Sequence, residues 1–159
     1  MDKRDLANQL VAAFGKTLTV DGLQLGEEHN SCVLVFDEDI ILNIEYDPNV
    51  ERLLFSVYLD ELPKENAEPL LRELLGANLY WSRTRGATLC LEEGTNGVIL
   101  VYPCSVDHLD NASFEVVVEN VVQQAENWKK KIAKRKEEAA SAVAKANAPS
   151  APLGSVIYG

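Results

Sequence analysis

Basic side chains are scarce in this 159-residue sequence: 15 Lys and Arg stand against 25 Asp and Glu, for a formal net charge of −10. A nucleic-acid binder needs a cationic footprint to neutralise phosphates, and an anionic membrane surface repels such a chain for the same reason. Long apolar runs are also missing, none nearing the roughly 20 residues of a membrane span. The opening Met1-Asp2-Lys3-Arg4-Asp5 runs into an amphipathic pattern, so no secretory signal is expected. Cysteines number three (Cys32, Cys90, Cys104), with no CxxC, each inside an apolar run. They read as small buried hydrophobes of a reduced cytosolic protein, in preference to redox groups. The two histidines, His29 and His108, show neither HExxH nor His-x3-His spacing, which leaves no expected metal site. GxSxG, GxGxxG, P-loop and EF-hand patterns are absent. The acidic groups 37–39 and 92–93 fall at turns, and nothing places one carboxylate in the apolar pocket that acid–base chemistry needs. No catalytic residue, metal ligand or cofactor is therefore assigned, and an enzyme is not expected.

What is there suits one soluble domain. Apolar residues make up 47% and charged ones 25%, which is ordinary for a globular chain and excludes wholesale disorder. The acid is uneven: residues 1–112 carry 20 acidic and 8 basic side chains, residues 113–159 five and seven. Leu6, Leu10 and Phe14 fall four apart, one stripe of a first helix that Gly15 is placed to end. Runs at 32–36, 40–46 and 53–59 read as strands, punctuated by Asp37-Glu38-Asp39 and Asp47-Pro48-Asn49. A second helix is predicted over 63–81, with Asn66 as its N-cap and Pro69 in its first turn. A hairpin follows, 87–92 and 98–104, joined through Gly94-Thr95-Asn96-Gly97. A last helix starts near Asp110 or Asn111, with Asn111-Ala112-Ser113 as cap chemistry. Six basic residues between Lys129 and Lys136 crowd its predicted C-terminal end. The expected fold class is α+β: an α-β-β-β-α-β-β-α sandwich, helices covering one face of an antiparallel sheet. Residues 1–138 form the domain, and 139–159 an Ala/Pro-rich flexible tail.

Period-two alternation sends Ile40, Leu42, Ile44 and Tyr46, with Leu53, Phe55, Val57 and Leu59, to one sheet face. The other face then shows Val33, Val35, Ile41, Leu54 and Tyr58 among polar neighbours. A rimmed apolar patch of this kind marks a partner surface, unless a helix or segment 16–30 covers it. Leu70, Leu71, Leu74, Leu75, Leu79, Tyr80 and Trp81 likewise occupy more than one helical face. One side serves the core, and the rest suits self-association, or burial on both sides within the monomer.

The stretch Leu70-Leu71-Arg72-Glu73-Leu74-Leu75-Gly76-Ala77-Asn78-Leu79-Tyr80-Trp81, followed by Gly86-Ala87-Thr88-Leu89-Cys90-Leu91-Glu92, resembles the class I type III secretion chaperones, more narrowly the CesT (Tir chaperone) family. Asp37 to Leu42, leading to Glu45-Tyr46-Asp47 and Leu53-Leu54, is similar to that family's second and third strands. The resemblance covers roughly residues 2–135. It implies an acidic, cytoplasmic, bacterial homodimer without catalysis. Such a dimer binds the N-terminal, non-globular segment of one or more secreted effector proteins, keeps it secretion-competent and hands it to the secretion ATPase. On the family pattern, Leu71, Leu75, Leu79, Trp81 and Leu89 are the expected dimer interface. Leu6, Leu10, Val33, Val35, Ile41, Leu54 and Tyr58 are the expected effector-binding positions. The alternative is a regulatory adaptor of the same fold that sequesters a folded regulator or ATPase. The run 129–136 is read as helix-end solvation or as a dock for an acidic partner. Val156-Ile157-Tyr158 is read as a docking motif or an end that touches nothing.

Overall fold

Alternation along the chain translates directly into a sheet with two unlike faces. In the computed structural model, which describes residues 1–149, the strands are β1 (Ser31–Phe36), β2 (Ile40–Asp47), β3 (Arg52–Glu61), β4 (Thr88–Leu91) and β5 (Gly97–Ser105). They form one antiparallel sheet in the order β1-β2-β3-β5-β4. The helices are α1 (Lys3–Thr17), α2 (Glu68–Ala77) and α3 (Asn111–Ala146), so the expected α-β-β-β-α-β-β-α order is the one found. Each hairpin turn uses left-handed backbone where the residue tolerates it: Asp37 and Glu38 between β1 and β2, Gly94 and Asn96 between β4 and β5. Gly97 opens β5 for a different reason. A Cβ there would stand 2.7 Å from the Tyr58 ring, so only glycine lets the two strands meet.

One core lies between the sheet and the helices. Leu42 and Ile44 of β2, Leu53, Phe55 and Val57 of β3, and Leu100 of β5 are fully buried beneath Phe114, Trp128 and Ile132 of α3. The Phe114 ring sits 5.5 Å from those of both Phe14 and Phe55, tying α1, α3 and the sheet at one point. The β-branched run Val116-Val117-Val118 and Val121-Val122 is poor helix material by propensity; burial of Val118 and Val121 against the sheet outweighs it. A reciprocal cap starts α3: the Ser113 amide donates to Asp110 Oδ1 at 2.8 Å, and the Asp110 amide donates to Ser113 Oγ at 2.8 Å. The Ser113 hydroxyl, which donates to Asp110 Oδ1 at 2.6 Å, and then the Ser113 amide hold the Asp110 carboxyl below the usual aspartate range.

All three helices differ in their bounds from the sequence expectation. Gly15 does not end α1 but lies inside it; glycine is needed there for packing, since a Cβ would stand 2.6 Å from Leu23 Cβ of the returning chain. The second helix occupies only 68–77: Asn66 takes a left-handed φ of 56° and is not the cap, and Ala67 holds that position without a side-chain bond. Its far end is fixed by Asn78, whose side chain accepts from the Leu89 amide at 2.8 Å and donates to the Leu89 carbonyl at 3.0 Å. Beyond it, Leu79–Trp81 form a short 3-10 turn in which Tyr80 and Trp81 are left-handed.

The third difference concerns α3, which continues to Ala146 and takes in the first eight residues of the expected tail. Ala, Lys and Glu are strong helix formers, Arg135 pairs with Glu138 three residues on, and Ala139 is buried. The basic run is therefore in mid-helix, not at a helix end. Lys129 bonds Asp39 at 2.8 Å, Lys136 bonds Asp60 at 2.7 Å, Arg135 pairs with Glu73, and Lys131 lies over the Trp128 ring at 4.3 Å. Val156-Ile157-Tyr158 lies outside the described residues.

Candidate functional site

The outer sheet face is built by the side chains that the core rejects. Val33 and Val35 of β1 and Ile41 of β2 are more than half exposed, Tyr58 of β3 nearly so, and Leu54 is half-buried. Val35 faces Ile41 directly across β1–β2, and Tyr58 aligns with Ile99 and then Cys90 across β3, β5 and β4. Between the apolar ends, the row Val33, Asn43, Ser56, Val101, Thr88 crosses all five strands with a polar middle. Neither a helix nor segment 16–30 covers this patch. That segment turns the other way: Leu25 is buried in the core, and its amide donates to Asn8 Oδ1 of α1 at 2.8 Å. β1 is an edge strand, so one row of its backbone groups has no neighbour in the sheet.

Of the α1 positions expected on this surface, Leu6 is half-buried against the core and Leu10 is 4% exposed. Leu10 is a core residue: the four-residue stripe is the face α1 turns inward, and the same stripe cannot also meet solvent.

A second apolar surface surrounds the end of α2. Leu75 is 71% exposed, and Leu79 and Trp81 are more than half exposed. Leu71 is half-buried. Leu89, expected beside them, is 6% exposed; it points into the core at the Asn78 clamp and is unavailable to a partner. Tyr80, part of the apolar set read as suited to self-association though not of the family-pattern interface, is 83% exposed, turned outward by its left-handed backbone. Trp81 is held in place by its indole N–H donating to Thr88 Oγ1 at 3.2 Å and by its carbonyl, which accepts from the amides of Thr84 and Gly86.

Elsewhere the chemistry is quiet. Burial pushes the Cys32 thiol up to about 11 and raises Cys90 and Cys104 as well, so all three stay protonated at neutral pH. Among the described residues, no three His, Cys, Asp or Glu side chains are grouped to hold a metal ion, and no helix is long and apolar enough to cross a membrane.

Comparison with known proteins gives these surfaces a context. The chain is 29% identical over 118 residues to the Tir chaperone of Citrobacter freundii, and 25% to that of Escherichia coli O157:H7; each alignment covers 74% of both partners. Among solved structures it superposes on a chain of the ExsC–ExsE complex with a TM-score of 0.72 at 26% identity, covering 83% of this chain and 97% of that one. A chain of the HopA1–SchA chaperone–effector complex gives 0.67 at 19% identity, over 82% and 98%, a likeness of fold. The pattern of the Tir chaperone protein (CesT) family matches residues 9–129, and the chain belongs to this family of type III secretion chaperones.

Proposed function

We propose that this chain works as a cytoplasmic homodimer that holds the N-terminal, non-globular segment of one or more secreted effectors in an extended, secretion-competent form and delivers it to the secretion ATPase. One observation carries this reading: the outer face of β1–β3, which no described residue covers, where Val33, Val35 and Ile41 lie on and next to the edge strand β1 and Tyr58 continues the patch onto β3. An extended polypeptide can satisfy that edge with main-chain bonds while alternate side chains settle on the apolar patch. The relation to a chaperone–effector complex and to the Tir chaperones supports the choice of occupant. The surplus of acid discourages aggregation of dimers that carry such a surface and draws in basic segments.

The test is purification of the full chain from its native host, followed by identification and protease mapping of whatever accompanies it. The expected result is a stoichiometric secreted protein, protected near its N-terminus in the complex and cleaved there once released. A chain that is monomeric and retrieves no secreted protein would overturn the proposal. A partner that stays protease-resistant after release would instead favour the regulatory adaptor.

A further inference from the structure

On the helix side of the sheet, where α3 passes the loop that leads into β4, the surface closes into a small polar cleft. Its walls include Thr84 and Arg85 of that loop, Tyr102 of β5, and Asn120 and Gln124 of α3. The loop is shaped to present Arg85. Arg85 and Gly86 are both left-handed, at φ 51° and 88°, and the Trp81 carbonyl accepts from the Gly86 amide at 3.1 Å. Glycine is required at 86 twice over, because a Cβ there would also stand 3.1 Å from the Tyr102 ring. Thr84 is fully buried and donates its hydroxyl proton to the Ala87 carbonyl at 2.5 Å.

Charge, hydrogen bonding and size point to one ligand chemistry. Among the described residues, Arg85 has no carboxylate within 4.0 Å. Its Nη1 donates instead to two neutral oxygens, Asn120 Oδ1 at 3.3 Å and Gln123 Oε1 at 3.2 Å, which leaves Nε and Nη2 uncommitted. Gln124 is only 7% exposed, yet its side-chain amide makes no hydrogen bond to any described residue. A buried amide without protein partners is costly unless something in the cleft satisfies it. No Asp or Glu lines the walls, in a chain with 25 acidic and 15 basic side chains. The cleft measures about 30 Å3, the space of about two water molecules. That is the footprint of the two oxygens of a carboxylate, and it is too little for an aromatic ring or a nucleotide.

We propose that this cleft is a carboxylate-binding subsite. Arg85 supplies the charge through Nε and Nη2, two parallel donors that match two carboxylate oxygens, and the Gln124 amide supplies a further hydrogen bond. The carboxylate arrives either as an Asp or Glu side chain of a bound effector or as a small free acid, and both put the same two oxygens in the cleft. Only the first source rests on the chaperone reading. The subsite lies on the helix side, at the β5–β4 end of the sheet, apart from the outer face of β1–β3. One guanidinium set among neutral amides accepts a single acidic group, while the surrounding acid turns away a run of them.

The experiment is an NMR titration of the full nitrogen-15-labelled chain at neutral pH, with sodium acetate as the ligand. The Arg85 Nε–H and Gln124 side-chain amide resonances should shift saturably, with half-saturation at about 10–100 mM, the strength of one partly exposed charge-assisted contact. Acetamide, of the same size without the charge, and sodium chloride at matching concentration should give no saturable shift. Arg85→Gln should weaken acetate binding about fivefold or more, read at Gln124. Gln124→Glu, which puts a carboxylate into the cleft from within, should abolish it. Arg85 is exposed, so its variant tests the subsite even where the buried replacement unfolds the chain. No saturable shift with acetate, the same shift with chloride, or undiminished binding in Arg85→Gln would overturn the proposal and leave a cleft that holds only water. Effector co-purification with Arg85→Gln then separates the sources. Capture reduced about fivefold identifies an effector side chain, whereas undiminished capture identifies a small acid. An unmodified chain that captures no effector counts against the chaperone reading, and the acetate titration still decides the subsite.

Discussion

The outer face of β1–β3 and the end of α2 both expose large apolar side chains, yet they are built in opposite ways. The sheet face is regular: Val33, Val35 and Ile41 are aliphatic, placed by strand alternation, and next to an edge that still has free backbone groups. The end of α2 is irregular. Tyr80 and Trp81 are left-handed, and the segment is fixed from behind by the two hydrogen bonds of Asn78 to Leu89 and from the side by Trp81 to Thr88. A regular face with an open edge accepts many sequences, because main-chain bonding is indifferent to side chains. A pinned aromatic surface has one shape and suits one partner, as the centre of a dimer interface requires. On the proposed function, client binding and self-association are assigned to two separate regions of one small domain.

The largest effect is expected where that separation is broken at the pinned surface. Leu79→Glu with Trp81→Glu should turn a dimer into a monomer, weakening self-association by about 3 kcal/mol or more, as loss of central apolar anchors does. Sedimentation equilibrium measures this, with far-UV circular dichroism unchanged, since both side chains are exposed. A dimer of undiminished affinity would move the interface elsewhere.

Next in size is the regular face. Val35→Asp with Ile41→Asp should abolish effector capture while leaving the dimer intact. The change in stability should be within about 0.5 kcal/mol per site, as for other surface positions. Urea unfolding and effector pull-down together read both halves of that expectation. Loss of the dimer along with capture would show that the two surfaces are one.

The smallest effect sharpens the comparison without touching either surface directly. Asn78→Ala removes both bonds to Leu89 and leaves that backbone pair without its partner, a loss of about 1–3 kcal/mol in unfolding free energy. Self-association should weaken with it, because the α2 end loses its support, whereas effector capture by the sheet face should hold. Equal weakening of both would mean that the face at β1–β3 depends on the same clamp.

Much of this could be read from residues in order. Alternation placed Ile41 and Leu42 on opposite faces correctly, and the turn residues located every hairpin, because strand period and turn stereochemistry are local properties. The same reading placed Leu10 and Leu89 on working surfaces, and there it misses. An apolar side chain at the right spacing has the same signature whether it meets a core or a partner. α3 shows the converse error: its Ala/Ser-rich end reads as a fraying tail by composition, but alanine propensity and the burial of Ala139 carry the helix to Ala146.

By itself, then, the sequence determined the order of elements, the two-faced sheet, the acidic balance and the family pattern. Each of these follows from neighbours along the chain or from its sums. Only the tertiary structure decided which apolar residues stay uncovered and where the aromatics of the α2 end point. Those outcomes depend on which segments pack against which, and one helix cannot cover both faces of a sheet. That geometric shortfall is what leaves this protein with surface to offer.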